Sequence, residues 1–435
     1  MKRQTILIYK GRFIVDGIKI KQKDSIHIKK NKLNLYQKII DYVFRPMRLG
    51  RLTMRLPDGR FLIYGNGKDG VEAEITIRNN NFFKKCVFFG DVGFGESYVD
   101  GDWDTEDITK VIEWMIINVE HHPTLMSDKK KRAPVNWLKV INNLISLVRK
   151  NSLNGSRKNI YEHYDLGNDF FKLFLDPSMT YSSAYFKNEQ MSLEQAQYQK
   201  YEQFCQKIRL RHTDHLLEIG SGWGGFAMYA VKNFGCQVTT ITVSKEQHDF
   251  VEKRIKEEGL VDKINVKLTD YRKIKGVYDK IVSIEMLEAV GHEYYEEYFR
   301  QCHNLLKKDG IMALQVILSP DNRYESFRKN VDWIEKHIFP GSLLPSTAVL
   351  LKNVNKSGDL GLFDFEDITP HYVKTLDLWC RNFNQQLASI KAMRFDESFI
   401  RQWNYYWCYC KAAFQTRNIS VAQMVFSRPN NLTLS

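Results

Sequence analysis

The order of apolar and glycine-rich segments predicts an α/β protein: a doubly wound, Rossmann-like sheet with a helical lid insertion, preceded by a smaller α/β domain. Three observations predict it. Leu216–Ala227 (LLEIGSGWGGFA) reads as the end of a buried strand, a turn holding Gly220, Gly222, Gly224 and Gly225, and the start of a helix. Strand and helix patterns then alternate: strand 216–219, helix 225–233, strand 237–243, helix 245–258, strands 264–268 and 279–284, helix 293–307, strand 311–317. After Leu318 the alternation stops, and the charged, aromatic stretch Pro320–His337 reads as a helical insertion over the site.

Residues 1–122 read as the separate α/β domain. Ile6–Ile8 and Phe13–Val15 suggest strands, Leu56-Pro57-Asp58-Gly59-Arg60 is a hairpin turn signal, and Val71–Ile77 alternates as a half-buried strand. Phe88–Asp104, rich in glycine, aspartate and aromatics, is expected to be a structural turn leading to a helix over Asp107–Val119. Residues 123–160 form a basic amphipathic linker: Lys129-Lys130-Lys131-Arg132 precedes Trp137, Leu138, Ile141, Leu144 and Val148 at helical spacing, with no acid from Lys129 to Ile160. Such a segment suits a membrane surface. It suits equally a helix docked on the following domain beside a solvated charge run.

The domain at 161–430 begins with a helix over Tyr161–Asp176, a polar-aromatic loop at Met179–Phe186 and a helix over Leu193–Ile208. Phe363–Phe365 and Val421–Phe426 supply the last two strands, with helices between. The glycine turn places a small polar ligand at the tip of the sheet, because glycine admits φ > 0 and lets backbone approach the ligand. Gly220-Ser221-Gly222 with Gly225 fits G-x-G-x-x-G, but the next strand ends Thr242-Val243-Ser244 without the acid that a dinucleotide ribose requires. No Gly-Lys-Ser/Thr follows, which excludes a P-loop. Glu218, two residues before the first glycine, suits a cofactor with a positive amino-acid end, such as S-adenosylmethionine.

A chain of 435 residues, 43% hydrophobic and 13% aromatic, can build a sizeable core. The net charge of +13 implies an anionic partner, though surface solvation accounts for part of it. The seven cysteines show no metal-ligand spacing, so no metal site is expected. Their odd number and the lack of an export signal in the opening residues lead us to expect a cytoplasmic protein. No apolar run is long enough to span a bilayer, so a lipid substrate would be reached from the membrane face, as a peripheral protein reaches it.

With these stretches assembled, the chain resembles the cyclopropane-fatty-acid synthase family of S-adenosylmethionine-dependent lipid methyltransferases. The matching runs are HYDLGNDFFKLFLD from His163, MTYSSAYF, LLEIGSGWGGFA, ITVSKEQ from Ile241, VSIEMLEAVG from Val282, IFPGSLLPS from Ile338 and HYVKTLDLW from His371. The resemblance implies a class I methyltransferase sheet, and methyl transfer to the cis double bond of an unsaturated phospholipid acyl chain, closing a cyclopropane ring. A hydride shift before proton loss would give a methylene or methyl branch instead. It implies Tyr181, Ser182, Gly220 and Gly222 at the methionine end of the cofactor, Thr242, Ser244 and Gln247 at the ribose, and Asp270 at the adenine. It implies a bicarbonate proton acceptor held by Ser183, Glu288, Gln315, the backbone of Ile317, and Tyr372. Ser183 stands where many members have cysteine, Gln315 where many have histidine, and Ala289 replaces a histidine. Tyr185, Phe186, Tyr372 and Trp379 could present aromatic faces to a cation.

The expected partners are unsaturated phospholipid and an anionic membrane surface, with a homodimer allowed for. An amine N-methyltransferase is the alternative enzyme, and a lipid-binding module without activity would lose Glu288 or the glycine turn, both of which are intact. No nucleic-acid partner is expected, because the Asn/Asp-Pro-Pro-aromatic motif of base methylation is missing.

Overall fold

The computed structural model describes residues 7–9, 12–14, 33–119 and 166–434. The basic linker expected at 123–160 lies outside the described residues, as does the beginning of the helix expected from Tyr161. Within the described residues that helix is one turn, Asn168–Phe171.

In the N-terminal part, β1 (Leu7–Tyr9) and β2 (Arg12–Ile14) pair as an antiparallel hairpin. A second sheet combines β3 (Arg51–Arg55), β4 (Phe61–Gly65), β5 (Glu72–Ile77) and β6 (Trp103–Asp104) in the order β4-β3-β5-β6. The predicted hairpin turn joins β3 to β4: the Leu56 N–H donates to the Arg60 carbonyl at 2.8 Å, and Gly59 takes φ +84°. β5 alternates in burial as its sequence does, with Ala73, Ile75 and Ile77 inside.

The expected turn over Phe88–Asp104 is instead mostly helix, Asn81–Val99, kinked at Gly90 (φ +59°, ψ −128°). Its glycines serve packing as well as bending. A Cβ on Gly95 would stand 2.5 Å from the ring of Trp333, which is fully buried. The same helix and the following β6 meet the C-terminal part again through Arg401, whose guanidinium donates to the Tyr98 and Trp103 carbonyls at 2.6 and 2.8 Å and lies 4.0 Å from the centroid of the Tyr98 ring.

The C-terminal part is built on seven strands: β7 (His215–Ile219), β8 (Gln237–Thr242), β9 (Ile264–Leu268), β10 (Tyr278–Ile284), β11 (Leu306–Leu318), β12 (Gly361–Asp367) and β13 (Ser420–Ser427). They lie in the order β12-β13-β11-β10-β7-β8-β9, and β13 runs antiparallel to both of its neighbours. The central strands are covered on both faces, which is why their sequences read as continuous apolar runs rather than alternating ones. The covering helices follow sequence rules. Lys245–Glu257 is capped by Ser244, whose hydroxyl accepts from the Gln247 N–H, and it buries Gln247, Val251 and Ile255 at i, i+4 and i+8. Leu193–Lys207 carries a capping box between Ser192 and Gln195.

The helical insertion is present as Tyr324–Lys329 and Trp333–His337. Chain order reverses between β7 and β10, so the crevice for a ligand opens at the carboxyl ends of those strands. Against that crevice packs an aromatic core in which Phe170 touches the rings of Phe171, Phe174, Phe383, Phe395, Phe399 and Trp403.

Candidate active site

The glycine turn sits at the carboxyl end of β7 and is tied to its neighbour: the Gly220 and Ser221 N–H groups both donate to the Ile241 carbonyl, at 3.0 and 2.9 Å. Gly220, Gly222 and Gly224 all take positive φ, of +98°, +48° and +87°. Among the described residues, and apart from its chain neighbours, no heavy atom lies within 4 Å of where a Cβ on Gly222 would stand, so this turn presents bare backbone to open space. Gly225 is needed for another reason, since its Cβ would meet the Tyr201 hydroxyl at 2.5 Å.

At the end of β8, Thr242 donates through its hydroxyl to Gln247 Oε1 at 2.9 Å and accepts from the Ser244 N–H at 3.1 Å. Asp270 follows β9. Its carboxylate is gripped by the Arg272 guanidinium at 2.8 and 2.7 Å, so the acid reaches the crevice already ion-paired. The loop bearing Tyr181, Ser182 and Ser183 closes over the same edge. The Tyr181 hydroxyl lies 3.1 Å from that of Tyr406, and Ser182 Oγ accepts from Lys200 Nζ at 2.6 Å. The eight residues expected at the cofactor thus stand on this loop, at consecutive strand ends of one sheet edge and, for Gln247, in the first turn of the helix after β8.

The second cluster centres on a residue the sequence reading passed over. Glu285, the first residue after β10, accepts from the Ser183 N–H (2.9 Å), from Gln315 Nε2 (2.7 Å) and from the Tyr372 hydroxyl (2.8 Å). Gln315 is fixed in that orientation because its Oε1 accepts from Gln423 Nε2 at 3.2 Å. Glu288 stands apart from those donors. Its Oε1 accepts from the Ile317 N–H at 2.6 Å, and its buried Oε2 has no hydrogen-bond partner among the described residues. Burial first, then the neighbouring Glu285, pushes Glu288 up to about 8. Burial also raises Glu285, against the opposing pull of its donors and of Lys200.

Lys200 is the other residue missed. It is fully buried on the core face of its helix, and burial pushes it down to about 7, with Glu285 the strongest group holding its charge. Glu218 lies beneath the glycine turn, accepting from the Thr240 hydroxyl at 2.6 Å and raised by burial to about 8. A signal for both missed residues was available: an acid at a strand's carboxyl tip, and a lysine at the i+4 position from buried Ala196.

Of the aromatics, Tyr372 and Trp379 belong to the site wall. Tyr372 stacks on Phe414 with centroids 4.5 Å apart, and the Trp379 ring lies 5.3 Å from that of Tyr181. Tyr185 and Phe186 engage elsewhere: Tyr185 stacks on His371 and donates to Glu366 at 2.8 Å, while Phe186 lies under Lys374.

These residues fit one small molecule and not the other. The open glycine turn at a sheet switch point fits S-adenosylmethionine. The set expected to hold bicarbonate does not fit it: Ser183 N–H, Gln315 and Tyr372 all donate to Glu285, Ile317 N–H donates to Glu288, and the Ser183 hydroxyl donates to the Ala184 carbonyl at 3.1 Å.

Comparison with known proteins gives the family. The sequence model of the mycolic acid cyclopropane synthetase family matches residues 151–424. The chain belongs to that family. It is accordingly an S-adenosylmethionine-dependent methyltransferase on a class I methyltransferase sheet. The tuberculostearic acid methyltransferase UfaA1 of Mycobacterium tuberculosis is 34% identical over 347 residues, 78% of this chain and 79% of its own. The cyclopropane-fatty-acyl-phospholipid synthase of Escherichia coli K12 is 35% identical over 362 residues, 82% of this chain and 88% of its own. The crystal structure of mycolic acid cyclopropane synthase CmaA1 complexed with SAH and CTAB superposes with a TM-score of 0.58 at 32% identity, over 62% of this chain and 98% of that one.

Proposed function

We propose that this family member methylates the cis double bond of unsaturated phospholipid acyl chains and closes a cyclopropane ring there. The observation that carries the reading is Tyr372, which joins a dry aromatic wall to a carboxylate. Its ring stacks on Phe414 at 4.5 Å and its hydroxyl donates to Glu285 at 2.8 Å. A reaction that builds positive charge on an alkyl chain and ends in proton loss needs both features side by side. The E. coli relative, which spans most of both chains, supports the phospholipid substrate.

S-adenosylmethionine, when bound, supplies an electrophilic methyl on its sulfonium. We assign its methionine end to Tyr181, Ser182, Gly220 and Gly222, its ribose to Thr242, Ser244 and Gln247, and its adenine to the side of Asp270. Tyr181, Trp379 and Phe414 exclude water that would otherwise capture the cation. No described helix is long and apolar enough to cross a membrane. The basic run Lys129–Arg132 is the segment we assign to an anionic bilayer surface.

A methylene- or methyl-branched product is the second reading, supported by the relative named a tuberculostearic acid methyltransferase. Turnover with methyl-deuterated cofactor separates the two. A ring and an exocyclic methylene each lose one of the transferred methyl's deuteriums, and the olefinic carbon signals of the methylene tell those two apart. A product that keeps all of them replaces the cyclopropane reading with methyl branching.

A further inference from the structure

The donors that an inorganic anion would use at the end of β10 converge on a side chain instead. Ser183 N–H, Gln315 and Tyr372 come from three separate segments and meet on the two oxygens of Glu285. Glu285 holds φ +48°, a left-handed conformation that costs a non-glycine residue about 1 kcal/mol or more and persists only where the surroundings impose it. Its side chain is enclosed by protein, yet the residue keeps part of its surface open, as do its neighbours Ile284 and Met286 and, across the recess, Tyr181 and Ile317. A carboxylate held by three donors is thereby placed at the carboxyl end of β10, beside the glycine turn that ends β7. Among the described residues, the charged or titratable groups that act on it are Lys200, Glu288 and Tyr372.

We propose that the Glu285 carboxylate is this enzyme's own proton acceptor, taking the place of a bound bicarbonate; the inference rests on the acyl-chain reading above. In the step it performs, a C–H bond of the transferred methyl breaks. That electron pair closes the third C–C bond of the ring onto the cationic carbon, and the proton passes to a Glu285 oxygen. Tyr372, Gln315 and the Ser183 N–H hold the carboxylate in place.

The test uses the full chain, S-adenosylmethionine and vesicles of dioleoylphosphatidylglycerol. Wild-type turnover is expected to be equal in carbon-dioxide-purged buffer and in buffer with added bicarbonate. Glu285→Gln keeps shape and most hydrogen bonds, so a purely structural role predicts near-normal rate and unchanged product. The proton-acceptor role predicts about a hundredfold loss, the usual contribution of a general base, and a shift from ring toward unsaturated branched products. Glu285→Gly relieves the backbone, because glycine tolerates this φ, and frees the three donors. It is expected to lose turnover in purged buffer, to recover part of it with bicarbonate, and to show saturable bicarbonate binding by calorimetry that wild type lacks.

Saturable bicarbonate binding by wild type, a wild-type requirement for bicarbonate, or normal rate and product from Glu285→Gln would each overturn the proposal. A wild type that methylates no lipid in any buffer would refute the acyl-chain reading, and the proton-acceptor role with it. The calorimetric comparison would still show whether Glu285 or bicarbonate owns the donors.

Discussion

Glu288→Gln offers a direct reading of where the proton sits in this pair of acids. Glu288 is buried, has one oxygen on the Ile317 N–H at 2.6 Å and the other without a partner among the described residues, and is raised from 4.5 to about 8. At about 1.4 kcal/mol per pKa unit, that shift corresponds to roughly 5 kcal/mol as an upper bound. The folded-state pKa lies above the unfolded one. The neutral form's contribution is therefore fully present below about pH 4.5 and is lost as pH rises through about 8. Glutamine mimics the neutral acid at every pH. In paired urea-unfolding series from about pH 5 to about pH 8, wild type should therefore lose stability relative to Glu288→Gln by about 1 kcal/mol per unit. Taking the difference between the two proteins cancels the other titrating groups that do not touch residue 288. A difference that stays level across that window would show Glu288 ionised throughout, and would refute the reasoning.

Gly222→Val places a β-branched side chain at φ +48°, a strain of about 1–3 kcal/mol, and fills the open space over the turn. Calorimetry should show S-adenosylmethionine binding abolished while circular dichroism is unchanged; undiminished affinity would remove this turn from the cofactor site. Neutralising Lys129, Lys130, Lys131 and Arg132 together should weaken sedimentation with anionic vesicles by about 1 kcal/mol per charge, most at low salt. Unchanged sedimentation would leave the segment a linker only.

The sheet was legible because a doubly wound fold writes itself into local pattern. β9 has the predicted bounds, and β7, β8 and β10 differ from them by one residue at an end. Each is a short apolar run closed by a polar or glycine-rich turn, a signal carried entirely within neighbouring residues. The glycine turn was legible for the same reason. Where the local signal was ambiguous, tertiary contacts decided. The glycines of Phe88–Asp104 read as turn formers, but Gly95 is small because Trp333, far away in sequence, packs onto it. Resemblance supplied Ser183, Glu288, Gln315 and Tyr372, and the fold brings all four to one end of the sheet. Glu285 was not supplied: its place at a strand's carboxyl tip is a local signal, but the partners that single it out among such acids lie 102, 30 and 87 residues away in sequence.

The division of labour between the two acids follows from counting their donors. Two carboxylates in one dry recess cannot both ionise cheaply, so the charge settles on whichever is better solvated by the protein. Among the described residues Glu285 receives three hydrogen bonds, and the buried Lys200 adds a charge that favours its anion. Glu288 receives one, and loses further ground to the charge on Glu285. Donors and Lys200 thus oppose the burial that raises Glu285, whereas burial and the neighbouring Glu285 push Glu288 up to about 8, so of the two it is Glu285 that the protein favours as the anion. A proton acceptor must be the ionised member of such a pair, and Glu285 is the member whose donors favour the anion. Exchanging the roles would require Glu288 to carry charge on an oxygen that nothing described solvates.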